Sequence, residues 1–287
     1  MQRPAEIGAD THILIATRFV AARRAAVALP DYPGPLPASI DFGYRCQDAA
    51  ISLWPDRVAG WKVGFIAPER RETGGDERLV GPIFDKAVVV AAADVIDVPV
   101  FVGGFAAVEA EYVFRLAADA PAGKTDWTND DAAALVDTLH AGVELAGSPL
   151  ATINDLGPAV VVSDFGNNAG LILGAAIADW RQRMAAELVC SVAIDGHEVG
   201  RGGAASIAGG PLAALAFALS LNARRGRPLR AGMLVTTGAA TGIHAIVAGE
   251  TALIDFGEHG RIACRAVEAT ADHDDNRDDN RDGGNAC

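Results

Sequence analysis

Along residues 107 to 116, AVEAEYVFRL, charged positions are set into an otherwise apolar run at a spacing of two. On a strand, Val108, Ala110, Tyr112, Phe114 and Leu116 would face the core while Glu109, Glu111, Val113 and Arg115 share the other side. Two carboxylates then converge at the start of a strand that is otherwise built for burial. On a helix of about 3.6 residues per turn they would sit about 200° apart, so only the strand reading makes a site. The competing reading is an edge strand whose outer face keeps Glu and Arg in water.

The same pattern divides the rest of the chain. Residues 10–29 predict an amphipathic helix ending at Pro30, followed by the link PDYPGPLP and a second helix over 38–54 that ends at Pro55. From about 60 to 268 short β-rich runs dominate: GWKVGF, KAVVVAAADVIDVPVFV, VEAEYVFRL, AGVELA, PAVVVSD, LVCSVAI, MLVTTG and TALIDF. Helices are predicted to interrupt them at 129–140, after the acidic start TNDD, and at 211–225, after Gly-Pro. Strands not separated by regular helices argue against a doubly wound sheet and for an α+β fold. The organisation expected is a helical N-terminal region at 1–80, a core at 81–268 and a disordered acidic tail at 269–287 containing the repeat DDNRDDNRD.

Composition changes this picture in three ways. At 287 residues and 50% hydrophobic, with a mean hydropathy of +0.20, the chain can bury a large core. Its formal charge is −13, of which ADHDDNRDDNRDGGNAC, with six aspartates against two arginines, supplies −4, so the remainder stays near −9. That balance argues against nucleic acid and anionic membranes as partners, because both need clustered Lys and Arg. The apolar run HILIATRFVAARRAAVAL is broken by Arg18, Arg23 and Arg24 and has no cleavage-site pattern after it, so neither a signal nor a membrane segment is expected. Cys46, Cys190, Cys264 and Cys287 are far apart and form no CxxC pair, which fits a reducing cytoplasm and not a thiolate zinc site.

Candidate chemistry narrows by comparison of motifs. GRGGAA at 200–205 matches a GxGxxA phosphate fingerprint, but the next helix is predicted only from Pro211 and no acid occurs between Glu198 and Glu250. No GxSxG elbow is present, and the six histidines show no metal-ligand spacing. The third option is a carboxylate cage, for which Glu144 in AGVELAGS offers a third acid, with Val143 and Leu145 on the opposite face. Three carboxylates brought together would repel by about 4 kcal/mol per pair at about 4 Å and an effective dielectric near 20. A cation removes that cost, and oxygen-only ligands point to Mg²⁺ or Mn²⁺.

Four segments in order resemble the 2-oxopent-4-enoate hydratase and 4-oxalocrotonate decarboxylase branch of the fumarylacetoacetate hydrolase superfamily. They are GWKVGF (60–65), VEAEYVFRL (108–116), VELAGSPL (143–150) and GRGGAASIAGGPLAALAFALSLNARRGRPLRAGMLVTTGA (200–239), and the resemblance covers roughly residues 40–268. It implies a mixed β-roll core with flanking helices, assembled as a homo-oligomer. By the same resemblance Glu109, Glu111 and Glu144 bind Mg²⁺ or Mn²⁺, and Lys62 is the catalytic lysine. The implied activity is hydration of a small 2-hydroxy-dienoic or 2-oxo-enoic acid through a metal-held enolate, in the breakdown of aromatic or related compounds. Decarboxylation of a 2-oxo acid, or C–C bond hydrolysis, is the alternative on the same scaffold. Two segments depart from the family pattern. ERLVGPIF places Leu79 where the hydratases carry the aspartate of P-D-[FY]-G, and the usual Asp-Asn is displaced into SDFGNNAG. Leu79 in place of an acid implies a substrate longer than the five-carbon dienoate.

Overall fold

The computed structural model describes residues 10–91, 94–183 and 185–272. The expected acidic tail lies, from residue 273 onward, outside the described residues. The N-terminal amphipathic run forms α1 (Thr11–Arg24). It stops short of Pro30 because Ala26 turns left-handed (φ 51°), with the Ala26 N–H donating to Arg23 O and the Val27 N–H to Ala22 O, a Schellman ending. Helix α2 (Ile40–Leu53) starts where the Phe42 N–H donates to the Ser39 hydroxyl at 3.2 Å, an N-cap.

The β-rich runs build two sheets. The larger contains β1 (Val58–Phe65), β2 (Arg78–Phe84), β3 (Val88–Val90), β5 (Phe105–Leu116), β6 (Val136–Ser148), β7 (Asn168–Ala176), β10 (Leu234–Thr236) and β11 (His244–Ala245). Their order is β2-β1-β10-β5-β6-β7-β3, with β11 pairing the first half of β5. The smaller sheet runs β4 (Ile96–Val100), β13 (Arg261–Glu268), β12 (Thr251–Asp255), β8 (Val189–Ile194), β9 (His197–Gly203). The sheets meet where Tyr112 packs edge-on against Phe256, ring centroids 5.9 Å apart. Helix α5 (Pro211–Arg224) buries Leu215, Leu219 and Leu221 in the same core. The α+β expectation holds, and β2 runs across residue 80, so the larger sheet is continuous over the division drawn there.

β5 is an interior strand, which removes the edge-strand alternative: it has neighbours on both sides, and Glu109 and Glu111 are buried with Tyr112 and Phe114. Two predicted elements are corrected. PAVVVSD does not form a strand; Pro158–Ser163 is the short helix α4, entered through Gly157 at φ 104° with proline at its first position. A short valine run buried on every side carries no period to separate strand from helix. The helix predicted over 129–140 is only α3 (Asn129–Ala134), started by a Thr128/Asp131 capping box. It ends because Val136 and the residues after it pair with β5 from Leu116 backward, and that long ladder overrides local helix preference. Among the described residues no helix is long and apolar enough to cross a membrane.

Candidate metal centre

Period-two geometry on β5 puts Glu109 and Glu111 on one face, and the antiparallel register sets Glu144 of β6 directly across from Glu109. One carboxylate oxygen from each of the three lies within 4.8 Å of the others. Glu109 is 4% exposed, and Glu111 and Glu144 are fully buried. Lys62, inward-facing on β1, brings its Nζ to 3.3 Å from Glu144 Oε1. The structure therefore gathers all four residues singled out in the sequence.

Other groups complete the shell. Asn168, at the start of β7, donates from Nδ2 to Glu144 Oε1 at 3.0 Å, and the Thr236 hydroxyl lies 3.5 Å from Glu144 Oε2. The Gly238 N–H donates to Glu111 Oε2 at 2.7 Å. Oε1 of Glu109 and Oε1 of Glu111 are buried with no hydrogen-bond partner. None of these supporting groups was read from the sequence as part of the site. In the sequence SDFGNNAG shows only a displaced Asp-Asn, and MLVTTG only a strand-like run at the end of the 200–239 segment.

Charge decides what this cage can hold. Three carboxylates against the single Lys62 ammonium leave an excess of two negative charges in a buried volume, and an uncompensated buried charge is costly. Without a cation, burial and the neighbouring Glu144 push the Glu109 carboxyl up to about 8, and burial with Glu144 raises Glu111 well above the usual carboxylate range. Burial alone would lower the Lys62 pKa, but Glu144, Glu109 and Glu111 outweigh it and hold the ammonium above its ordinary value. A divalent ion matches the excess charge and would occupy the two orphaned oxygens. The donor set, all oxygen with no His or Cys, suits Mg²⁺ or Mn²⁺. The residues present fit such an ion.

The cage opens onto a cavity of about 280 Å³. Lys62 and Glu109 line it, with an apolar wall of Phe65, Ile66, Leu79, Val161 and Ile243. Asn154, Asn167 and Arg70 supply its polar side, where Asn167 Nδ2 donates to Asn154 Oδ1 at 3.1 Å and Arg70 Nη1 to the Asn154 carbonyl at 2.5 Å. GRGGAA does not form a phosphate cradle. It ends β9, and a side chain at Gly202 or Gly203 would run into the carbonyl oxygens of Ala240 or Leu188, so its glycines serve close backbone packing.

Two mixed sheets joined around a buried E-x-E strand give this chain the fold of the fumarylacetoacetate hydrolase superfamily. No family model and no curated protein sequence matches it. Among solved structures, 4-oxalocrotonate decarboxylase from Pseudomonas putida G7, complexed with magnesium and adipate, aligns with a TM-score of 0.77 at 20% identity, over 91% of this chain and 98% of that one. The same enzyme complexed with calcium and acetate gives 0.76 over the same spans. Fumarylpyruvate hydrolase from Pseudomonas aeruginosa, in complex with Mn²⁺ and pyruvate, gives 0.53 at 20% identity, over 75% of this chain and 91% of that one. At these identities the likeness is one of fold.

Proposed function

We propose that this chain is a divalent-cation-dependent lyase of a small 2-oxo acid able to form a 2-hydroxy-diene, and within that class a decarboxylase of a 2-oxo-enedioate. The observation that carries the reading is the buried triad Glu109, Glu111 and Glu144 meeting the Lys62 ammonium at the floor of a cavity. Three solved structures that share the fold are complexed with calcium, magnesium or Mn²⁺, which supports Mg²⁺ or Mn²⁺ here. When bound, such an ion supplies a Lewis acid for the C2 oxygen of a 2-oxo acid.

The chain's own residues account for the rest. Leu79, Phe65 and Val161 form an apolar wall that accommodates the carbon chain. Arg70, exposed and lining the same cavity, matches a second acid group as it enters. A carboxylate carried on toward the apolar wall loses hydration and is relieved by leaving as carbon dioxide. The bonding pair then moves through the alkene to the C2 oxygen, and Lys62, whose ammonium sits beside Glu144, delivers a proton there.

Alignment over nearly the full length of a decarboxylase supports this reading, as does Leu79 standing where a proton-handling acid would serve hydration. Hydration of a 2-hydroxy-dienoate is the second reading, favoured by the order of the four sequence segments. Incubation with Mg²⁺ and a panel of 2-oxo-enedioates and 2-hydroxy-dienoates, read by mass, separates them. Loss of carbon dioxide from an enedioate is expected; uptake of water by a dienoate would establish the hydratase instead. No turnover of either would overturn both.

A further inference from the structure

Between β6 and β7 the ladder is interrupted. Glu144 faces Leu171 and Leu145 faces Gly170, but Ala146 then faces Asn168, so Ala169 is an extra residue on β7. In an unbroken ladder Asn168 would face Gly147 and lie on the side of Val143 and Leu145, away from Glu144. The bulge turns it onto the face of Ala146 and Glu144, where its amide reaches Glu144 Oε1 at 3.0 Å.

The bulge is gripped by a single side chain from outside the sheet. Arg23, near the end of α1 and 8% exposed, donates from Nη2 to Gly147 O at 2.8 Å on one strand and from Nη1 to Asn168 O at 3.0 Å on the other. Its Nε lies 2.5 Å from Asp164 Oδ1, its Nη2 also lies 3.0 Å from Asp164 Oδ2, and Ser148 Oγ donates to that same oxygen at 2.6 Å. Phe165 lies against the guanidinium, 5.1 Å from its ring centroid. A buried ion pair is weak evidence for stability, because desolvation offsets much of the attraction. Its value lies in geometry: a planar fork satisfies carbonyls on two strands and a carboxylate at once, which an ammonium does not do.

We infer that Arg23 is a positioning residue for the cation site, fixing the bulged β6/β7 register that aims Asn168 at Glu144. The inference rests on the reading of Glu109, Glu111 and Glu144 as cation ligands. Groups that orient a ligand from behind alter metal affinity by about 10- to 100-fold when removed. Groups acting through one path do not add.

The test is a double-mutant cycle read as Mn²⁺ affinity, by electron paramagnetic resonance of free Mn²⁺, on full-length chain whose folded state is checked by circular dichroism. Asn168→Ala and Arg23→Lys should each weaken Mn²⁺ binding about 10- to 100-fold. The double variant should bind no more weakly than the weaker single. A merely structural Arg23 would lower the melting temperature of metal-free protein and leave Mn²⁺ affinity unchanged, or its loss would multiply with that of Asn168→Ala; either result overturns the inference. If Arg23→Lys does not fold, Asp164→Asn, which loosens the grip on the guanidinium at constant shape, takes its place in the cycle with the same deciding outcomes. Wild-type chain that binds no Mn²⁺ overturns the cation reading and this inference together, whereas wild-type binding with unaffected variants overturns this one alone.

Discussion

Glu109 and Glu144 stand opposite one another across the β5/β6 ladder, both buried, in a position where like charges ordinarily destabilise a sheet. The sheet tolerates the pair through Lys62, Asn168 and, in the reading proposed here, a divalent cation.

That arrangement makes stability and cation binding respond in opposite directions to one change. In chelator near neutral pH, Glu109→Gln should raise the melting temperature, because it replaces a carboxyl that folding must protonate, its pKa lifted to about 8 by burial and Glu144, while abolishing Mn²⁺ binding and activity. For the wild type, Mn²⁺ at a hundredfold above its Kd should stabilise by about 2.7 kcal/mol. Thermal melts of both proteins with and without Mn²⁺ check this; a wild-type melt indifferent to Mn²⁺ would count against the cation site.

Lys62 is the positive member of the cage, and its Nζ competes with any cation for Glu144. Lys62→Met should lower kcat about 10²- to 10⁴-fold, the range for loss of a general acid or base, while Mn²⁺ affinity is kept or increased. Steady-state kinetics and Mn²⁺ titration on the same preparation measure the two. Activity within a few-fold of wild type would return Lys62 to a packing role.

Leu79 pairs with Gly64 across β1 and β2, and both line the cavity with Lys62. Among 2-oxo-enedioates, those with a longer apolar extension should gain about 0.8 kcal/mol in kcat/KM per buried methylene over the shortest. Leu79→Asp should narrow that gap and, because the residue is 5% exposed, also lower the melting temperature. A lowered melt with the substrate ratio unchanged would assign Leu79 to the core alone.

Gly81 lies opposite Lys62 in the β1/β2 register, and a side chain there would strike the Phe165 carbonyl oxygen. Gly81→Ala should destabilise by about 1–3 kcal/mol, as overpacking does, and should depress activity by displacing the 165–167 segment that packs beside Lys62. Urea unfolding beside kinetics tests it; full stability in the variant would contradict the packing described.

What the sequence made legible follows from period. Strand alternation places Glu109, Glu111 and the Tyr112/Phe114 core face with no tertiary information, and the Pro and Gly punctuation marks α2 and α5. Where period is missing, as in the valines of α4, or where a distant strand competes for a segment, as at Val136, local reading fails. Asn168 illustrates a deeper limit. Its side chain reaches Glu144 only because one extra residue flips the register, and that bulge is held by an arginine 145 positions earlier. Neither fact leaves a mark on the residues around Asn168 themselves.

The place of β10 in the larger sheet has a consequence for the order of assembly. It lies between β1 and β5, parallel to β1 through Gly60↔Leu234 and antiparallel to β5 through Leu234↔Arg115. A growing chain therefore carries β1 and β5 with facing unpaired edges until Leu234 to Thr236 have been made, and such edges invite pairing with other chains. Thr236 and Gly238, which complete the shell around Glu144 and Glu111, arrive with that closing strand. The half-made protein thus holds its acidic site open, and the segment that seals the sheet also finishes the cage.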